Sequence, residues 1–299
     1  MKALGLWLVV LAAALAPATA QVTVEITTEQ DQFLPAESLP LAVRITNRSG
    51  QDLRLGGPDW LTFSVEARDG LVVPKLGDVP IEGGFVLESS RVATLRADIA
   101  PYFVLTRAGR YTVTATLRLK DWNRVFVSPA KGFDIVQGAR LWEQEIGVPD
   151  AAGSTNASPE IRKFILQQAN YLKSQLRLYV RLTDASGGRT FKVIAIGPVV
   201  SFARPEPQVD KFSNLHLLYQ EGPRSFSYTV VNPEGEIIAR RNYDLGDRRP
   251  RLQPDAEGKV LVLGGVRRPS SRDIPPSPPA QERTKNASSA PGEMMLPEN

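Results

Sequence analysis

From Gln21 to about Gln137 the chain alternates apolar and polar residues in short runs. Val22, Val24 and Ile26 alternate with Thr23, Glu25 and Thr27, the signature of a strand with one buried face. Residues 39–46 repeat the pattern and end at Asn47-Arg-Ser-Gly50, and residues 61–67 end at Arg68-Asp-Gly70. Both endings are turn signals, because Asn, Asp and Gly tolerate the backbone conformations that reverse a strand. Residues 91–97, 111–119 and 132–136 complete the set, and residues 111–119 form the longest clean alternation. Short strands at this spacing with no helical pattern between them predict two packed antiparallel sheets over residues 21–140.

The second half carries a different signal. Residues 141–157 contain Gly147, Pro149, Gly153 and Asn156 with little apolar periodicity, and predict a linker. Ser158-Pro159-Glu160 resembles a helix start, but Phe164-Ile165-Leu166 followed by Asn170 favours a strand and a turn. An internal repeat decides for strands. Pro205–Gln220 lies over Pro250–Gly265 without a gap, matching Gln208 to Gln253 and Asp210 to Asp255. Val180–Gly187 and Thr229–Gly235 repeat a strand followed by an Asp/Asn-X-X-Gly turn, and residues 163–168 begin a further copy. Residues 158–268 are therefore expected to form antiparallel hairpins. From about residue 269 prolines cluster at 275, 276, 278 and 279 among polar residues, and predict a disordered tail over 269–299.

Two resemblances follow from these residues. Gly109-Arg-Tyr111-Thr-Val113 is similar to the Gly-X-Tyr-X-Val segment of bacterial immunoglobulin-like and fibronectin-like domains. That resemblance implies a β-sandwich in which Tyr111 closes a corner by bonding to upstream backbone, with Gly109 easing entry into the strand. Residues 255–262 resemble a blade of a bacterial β-propeller, and the repeat length of about 45 residues suits a four-stranded blade. A closed ring needs at least about four blades, and this region offers two to three. Either the sheets pack as an open assembly against the first domain, or a partner chain completes them. The fold expected is all-β: an immunoglobulin-like sandwich, then blade-like sheets.

The first twenty residues change the setting. Lys2 precedes an apolar run from Leu4 to Leu15, and Ala18-Thr19-Ala20 offers the small residues that signal peptidase reads. About a dozen apolar residues fall short of the roughly 20 that span a bilayer, so a cleaved export signal over residues 1–20 outweighs a retained anchor. No transmembrane segment is expected after cleavage, and the location expected is periplasmic or secreted. The chain has no cysteine, which excludes disulfides, thiolate metal sites and a cysteine nucleophile. Net charge is +4, too small for a strong global field. Arg240, Arg241, Arg248, Arg249 and Arg251 form a local basic cluster, the candidate contact for an anionic partner. For an exported protein that partner is an acidic cell-surface polymer or lipid headgroup rather than nucleic acid.

Little else in the chain suggests chemistry. His216 is the only histidine, set in an apolar strand, and reads as structural. No HExxH, CxxC, P-loop or dinucleotide motif is present, so no cofactor or metal is expected. Asp59-Trp60 and Asp121-Trp122 place an acid beside a ring suited to stacking on sugar, and Glu143 and Glu145 share a face if extended. These features leave three readings. The first is a non-enzymatic exported protein acting in binding or assembly with a protein or surface polymer, with edge-strand association. The second is a carbohydrate-binding module using Trp60 or Trp122. The third is a glycoside hydrolase using paired carboxylates. Intact mass of the exported protein is expected to place its first residue at Gln21; a product retaining residues 4–15 would contradict the export signal.

Overall fold

In the computed structural model, which describes residues 22–81, 83–148 and 160–274, the alternating runs form strands with alternating burial. The expected signal peptide and most of the Pro-rich tail lie outside these residues. β1 (Val22–Thr27) buries Val22, Val24 and Ile26 and exposes the residues between them. With β3 (Pro40–Asn47) and β7 (Val92–Asp98) it makes an antiparallel three-stranded sheet. The facing sheet has β2 (Gln32–Phe33), β10 (Lys131–Ile135), β8 (Gly109–Leu119) and β5 (Leu61–Ala67) in that order, with β9 (Arg124–Val127) also on β8. β2 and β10 are parallel, and the other pairs in this sheet are antiparallel. A small ladder of β4 (Leu53–Leu55) and β6 (Phe85–Leu87) flanks them. The inward residues of both sheets, including Val43, Ile45, Val65, Val113 and Leu117, form one core. Each such side chain contributes about 1.5–3 kcal/mol on burial.

Tyr111 starts the exposed-to-buried alternation of β8, and its hydroxyl donates to the Arg107 carbonyl at 2.8 Å. The ring stacks on Phe133, with centroids 5.7 Å apart. Gly109 does not contribute as expected. Its backbone is not left-handed, and a Cβ there would meet only the edge of the Tyr111 ring at an ordinary 3.9 Å. The corner thus rests on the tyrosine alone.

The second half is built from successive antiparallel meanders. β11 (Ala139–Gly147), β12 (Ile161–Leu172), β13 (Gln175–Asp184) and β14 (Thr190–Pro198) form the first. The expected linker is therefore wrong over its first part. Residues 141–147 pair with β12, although their side chains are mostly exposed and show no apolar alternation. Residues 149–159 lie outside the described part. The second meander is β15 (Glu206–Val209), β16 (Leu215–Gln220), β17 (Ser225–Val231) and β18 (Ile237–Asp244). A third begins with the hairpin β19 (Arg251–Pro254) and β20 (Val260–Leu263). The chain then returns to the second sheet, where β21 (Val266–Arg268) pairs with β18. The expected tail is corrected at its start too: Ile274 bonds to Arg240 through both backbone groups.

The same hairpin turn recurs four times. Gly187, Ser213, Gly235 and Gly258 have φ between 63° and 77°, and each donates its N–H to the carbonyl three residues back, at Asp184, Asp210, Asn232 and Asp255. In each case a side-chain oxygen of that Asp or Asn accepts the backbone N–H of the residue that restarts the strand: Arg189, Asn214, Glu236 or Lys259. The carboxylate or amide satisfies a donor the turn would leave unpaired, and the left-handed residue suits the three-residue loops after Asp210, Asn232 and Asp255 and the four-residue loop after Asp184.

The first meander is covered on both faces. Leu178, Val180 and Leu182 of β13 pack with Leu215, Leu217 and Tyr219 of β16. Tyr179 between them faces the first half, where it joins Leu34, Ala169 and Val193. Arg181 donates to the Pro35 carbonyl at 3.2 Å, the Asp31 N–H to the Tyr171 carbonyl at 3.1 Å, and Arg177 to the side chain of Gln30. Buried Glu37 accepts from Leu34 N–H and from Gln30; burial still raises its pKa above the usual carboxylate value. Mainly a sheet face, with one bridge from Glu37 to edge-strand residue Val193, joins the halves. Tyr111→Phe is expected to lower stability by about 1 kcal/mol, since it removes one hydrogen bond and leaves the Arg107 carbonyl without it. Urea unfolding of the intact chain measures this, and an unchanged midpoint would mean the hydroxyl contributes nothing.

Candidate functional site

β16 and β17 lack the one-sided alternation of an outer sheet. All six residues of β16 are buried, because the sheet has a partner on each side. Leu215, Leu217 and Tyr219 face the first meander. His216 and Leu218 face the other way, as do Phe226, Tyr228 and Val230 of β17 and Ala239 and Tyr243 of β18. The β19–β20 hairpin covers only part of this outer face. Leu252 N–H donates to Glu206 of β15 at 3.2 Å, and Lys211 Nζ to the Glu257 carbonyl at 3.1 Å. Over β17 and β18 a cleft of 740 Å³ stays open, a size ordinary for a ligand site.

One end of the cleft is a polar post. Asp210 Oδ1 accepts the N–H groups of Phe212 and Asn214, at 2.9 and 2.8 Å. Its Oδ2 accepts from the Asn214 amide and from His216 Nε2, both at 3.0 Å. A carboxylate only accepts, so Nε2 carries the proton, and in the neutral ring Nδ1 accepts the Tyr228 hydroxyl at 2.7 Å. Burial raises the Asp210 pKa, but hydrogen bonds from His216 and Asn214 outweigh it and hold the carboxyl below its usual value. Burial pushes the Tyr228 phenol up to about 12. Both ring nitrogens of His216 are hydrogen-bonded within the protein and the residue is 7% exposed, so neither nitrogen is presented to a ligand. The post is a fixed polar wall. The rest of the lining is apolar, with Val230, Ile238 and Val262, and charged, with Lys211, Arg241 and Lys259 against one carboxylate, Glu257.

The residues marked from sequence are not gathered here. Trp60 is 3% exposed, its ring edge-on to Phe85 at 6.2 Å within the first core, so it offers no face to a sugar. Trp122 is half-buried against the same core. The arginine cluster is divided by strand alternation. Arg241 lines the cleft, while Arg240 turns to the other face and donates to the Ile196 carbonyl at 3.2 Å. Arg249 lies over the Phe226 ring at 5.2 Å, and Arg248 and Arg251 are exposed. Glu143 pairs with Arg140 and Glu145 with Lys163. Among the described residues no group of three or more His, Asp or Glu side chains converges as a metal site would require. The cleft was missed because its walls come from four strands and two turns. The available clue was apolar or aromatic residues at every position of 215–219.

No family model and no curated protein matches this chain. Among solved structures, a β-glucuronidase from Bacteroides uniformis is similar at a TM-score of 0.25 and 16% identity, over 41% of this chain and 13% of that one. The sporulation control protein Spo0M from Bacillus subtilis is similar at a TM-score of 0.29 and 8% identity, over 60% of this chain and 90% of that one. This chain thus spans a small part of the glucuronidase, and scores this low assign neither fold family nor activity.

The post generates a pH dependence. Because the folded pKa of Asp210 is lowered, its contribution is complete above the ordinary aspartate value of 3.8 and is lost as the pH falls through the folded value. Asp210→Asn is expected to lower the melting temperature at pH 7 and to flatten its fall in acid. Melting curves between pH 2 and 7 measure both; identical curves would remove the charge from any stabilising role.

Proposed function

We propose that this chain is a non-enzymatic exported binding protein of the periplasm or cell surface, and that the cleft beside Tyr228 and Arg241 receives its ligand. The observation that carries this reading is the uncovered outer face of β17–β18: an apolar floor with a polar post at one end and three cations around it. Burying such a face gains affinity, while the post and the cations orient what enters. The first half acts as an immunoglobulin-like sandwich that holds the second in place. Its sheet order β1-β3-β7 against β10-β8-β5 and its tyrosine corner support that assignment. The second half is an open stack of blade-like sheets. The placement of the sequence repeat supports this: residues 205–220 and 250–265 both supply the first hairpin of a meander.

Carbohydrate binding by exposed tryptophan has less support, given the burial of Trp60, and a carboxylate glycosidase has less still, given the ion pairs of Glu143 and Glu145. Ala239→Trp fills the cleft floor without touching the inner core, and Arg241→Glu reverses one charge. Cell-envelope extract passed over immobilised wild type and each folded variant is the test. Material retained by wild type and lost from both variants is the expected result. Equal retention by all three would move the binding site elsewhere.

A further inference from the structure

The cleft has the position of a strand. In the first two meanders the chain lays down four strands in order; in the third it lays down two and leaves. β19 sits by β15, and the open space lies between β20 and the outer face of β17 and β18, where a third strand of the outer sheet would run. All four residues of β20 line this space, and no residue of β19 does.

The register fixes which groups are unpaired. Asp255 N–H donates to the Lys259 carbonyl, closing the hairpin. Counting two residues at a time along the ladder, Leu261 pairs with Gln253 and Leu263 with Arg251 in the hydrogen-bonded positions. The N–H and C=O of Val260 and Val262 therefore point away from β19, into the cleft. Among the described residues β20 has no second strand partner. An edge of this kind accepts an added strand.

The chain's own continuation is turned away from the vacant place. Gly264 and Gly265 follow β20 with φ of 77° and 65°, which side-chain-bearing residues rarely adopt. A Cβ on Gly264 would lie 2.8 Å from the Arg249 carbonyl oxygen, so only glycine fits. Val266–Arg268 then pair with β18, and Arg267 is pinned by the Asn242 carbonyl, the Asp273 carboxylate and the face of Tyr243. The segment that would have been the third strand closes the edge of the second sheet instead.

Resting on the binding role assigned to this cleft above, we infer that its ligand is an extended segment of another polypeptide, added as a third strand to the β20 edge. Its backbone bonds to Val260 and Val262. Alternate apolar side chains enter against Val230, Ile238 and Ala239, and acidic side chains meet Arg241 and Lys259. Among the described residues neither Arg241 nor Lys259 has a carboxylate within ion-pairing distance. The same charges argue against a second copy of this chain: β20 against β20 would bring two sets of Lys211, Arg241 and Lys259 together, three cations a side against Glu257 and an Asp210 already bonded to His216 and Asn214. Specificity thus comes from the spacing of side chains and affinity from main-chain pairing, as in other strand-addition sites.

The test uses the mature chain and a displayed library of random twelve-residue peptides. Enriched peptides are expected to alternate apolar and acidic residues. Their affinity is expected to fall at least tenfold when alternate backbone amides are N-methylated, and at least tenfold on Arg241→Glu. Val262→Pro removes an edge donor that the β19 ladder does not use, and is expected to abolish binding while leaving the melting transition in place; protection of the Val260 and Val262 amides from exchange on peptide binding gives the same readout without a variant. No enriched peptide, or enriched peptides indifferent to N-methylation, would overturn strand addition. If envelope material is still retained by wild type and lost on Ala239→Trp, the cleft remains a binding site for a ligand of another kind; if that difference is also absent, the binding role itself falls. Concentration-dependent dimerisation lost on Val262→Pro would replace the foreign strand with a second copy.

Discussion

The double burial of the β11–β14 sheet is the constraint on which the remaining architecture depends. Even-numbered residues of β13 lie against the second meander and Tyr179 lies against the first half, so one sheet is shared by two cores. Neither neighbour can shift without exposing a face of it. Several polar groups at this junction are matched: Glu37, Gln30, Arg177 and the Leu34 N–H form one connected set, and Arg181 separately reaches the Pro35 carbonyl. Buried polar groups of this kind cost free energy unless paired, so they fix the orientation of the two halves more sharply than apolar contact would. Within the same junction, Tyr179 Oη has no hydrogen-bond partner, and burial pushes that phenol well above its usual range.

A second regularity sets the pattern from which the cleft departs. The repeated Asp/Asn-X-X-Gly turn closes three hairpins with its glycine in place, and a fourth has Ser213 at the left-handed position. That fourth turn is the one whose aspartate also holds His216. A local rule that served only to reverse the chain thereby supplies the charged end of a hydrogen-bonded post reaching Tyr228. The cleft beside this post is a consequence of stacking sheets of unequal width: a two-stranded hairpin cannot cover a five-stranded neighbour.

Several parts of this were legible in the sequence. Strands at residues 22–27, 61–67 and 111–119 were plain because each has one wet face and one dry face. The Tyr111 corner was what the resemblance of residues 109–113 to immunoglobulin-like domains implied, and the repeat anticipated which segments would become equivalent hairpins. Residues 141–147 were not legible, because an edge strand whose side chains are mostly wet carries no apolar alternation to mark it. Trp60 and the arginine cluster were open for a related reason: residue type allows both a packing and a surface role, and burial and strand parity decide between them.

The sequence by itself determined the all-β class, most strand positions and the Asp/Asn-X-X-Gly turns, because these depend on residues within a few positions of one another. Only the tertiary structure decided that β16 and β17 are covered on both sides, that Arg240 and Arg241 face opposite ways, and that the chain leaves its third sheet after two strands. Those outcomes depend on which sheet packs on which. The physical reason is that a buried apolar residue reports that something covers it, but carries no record of what does.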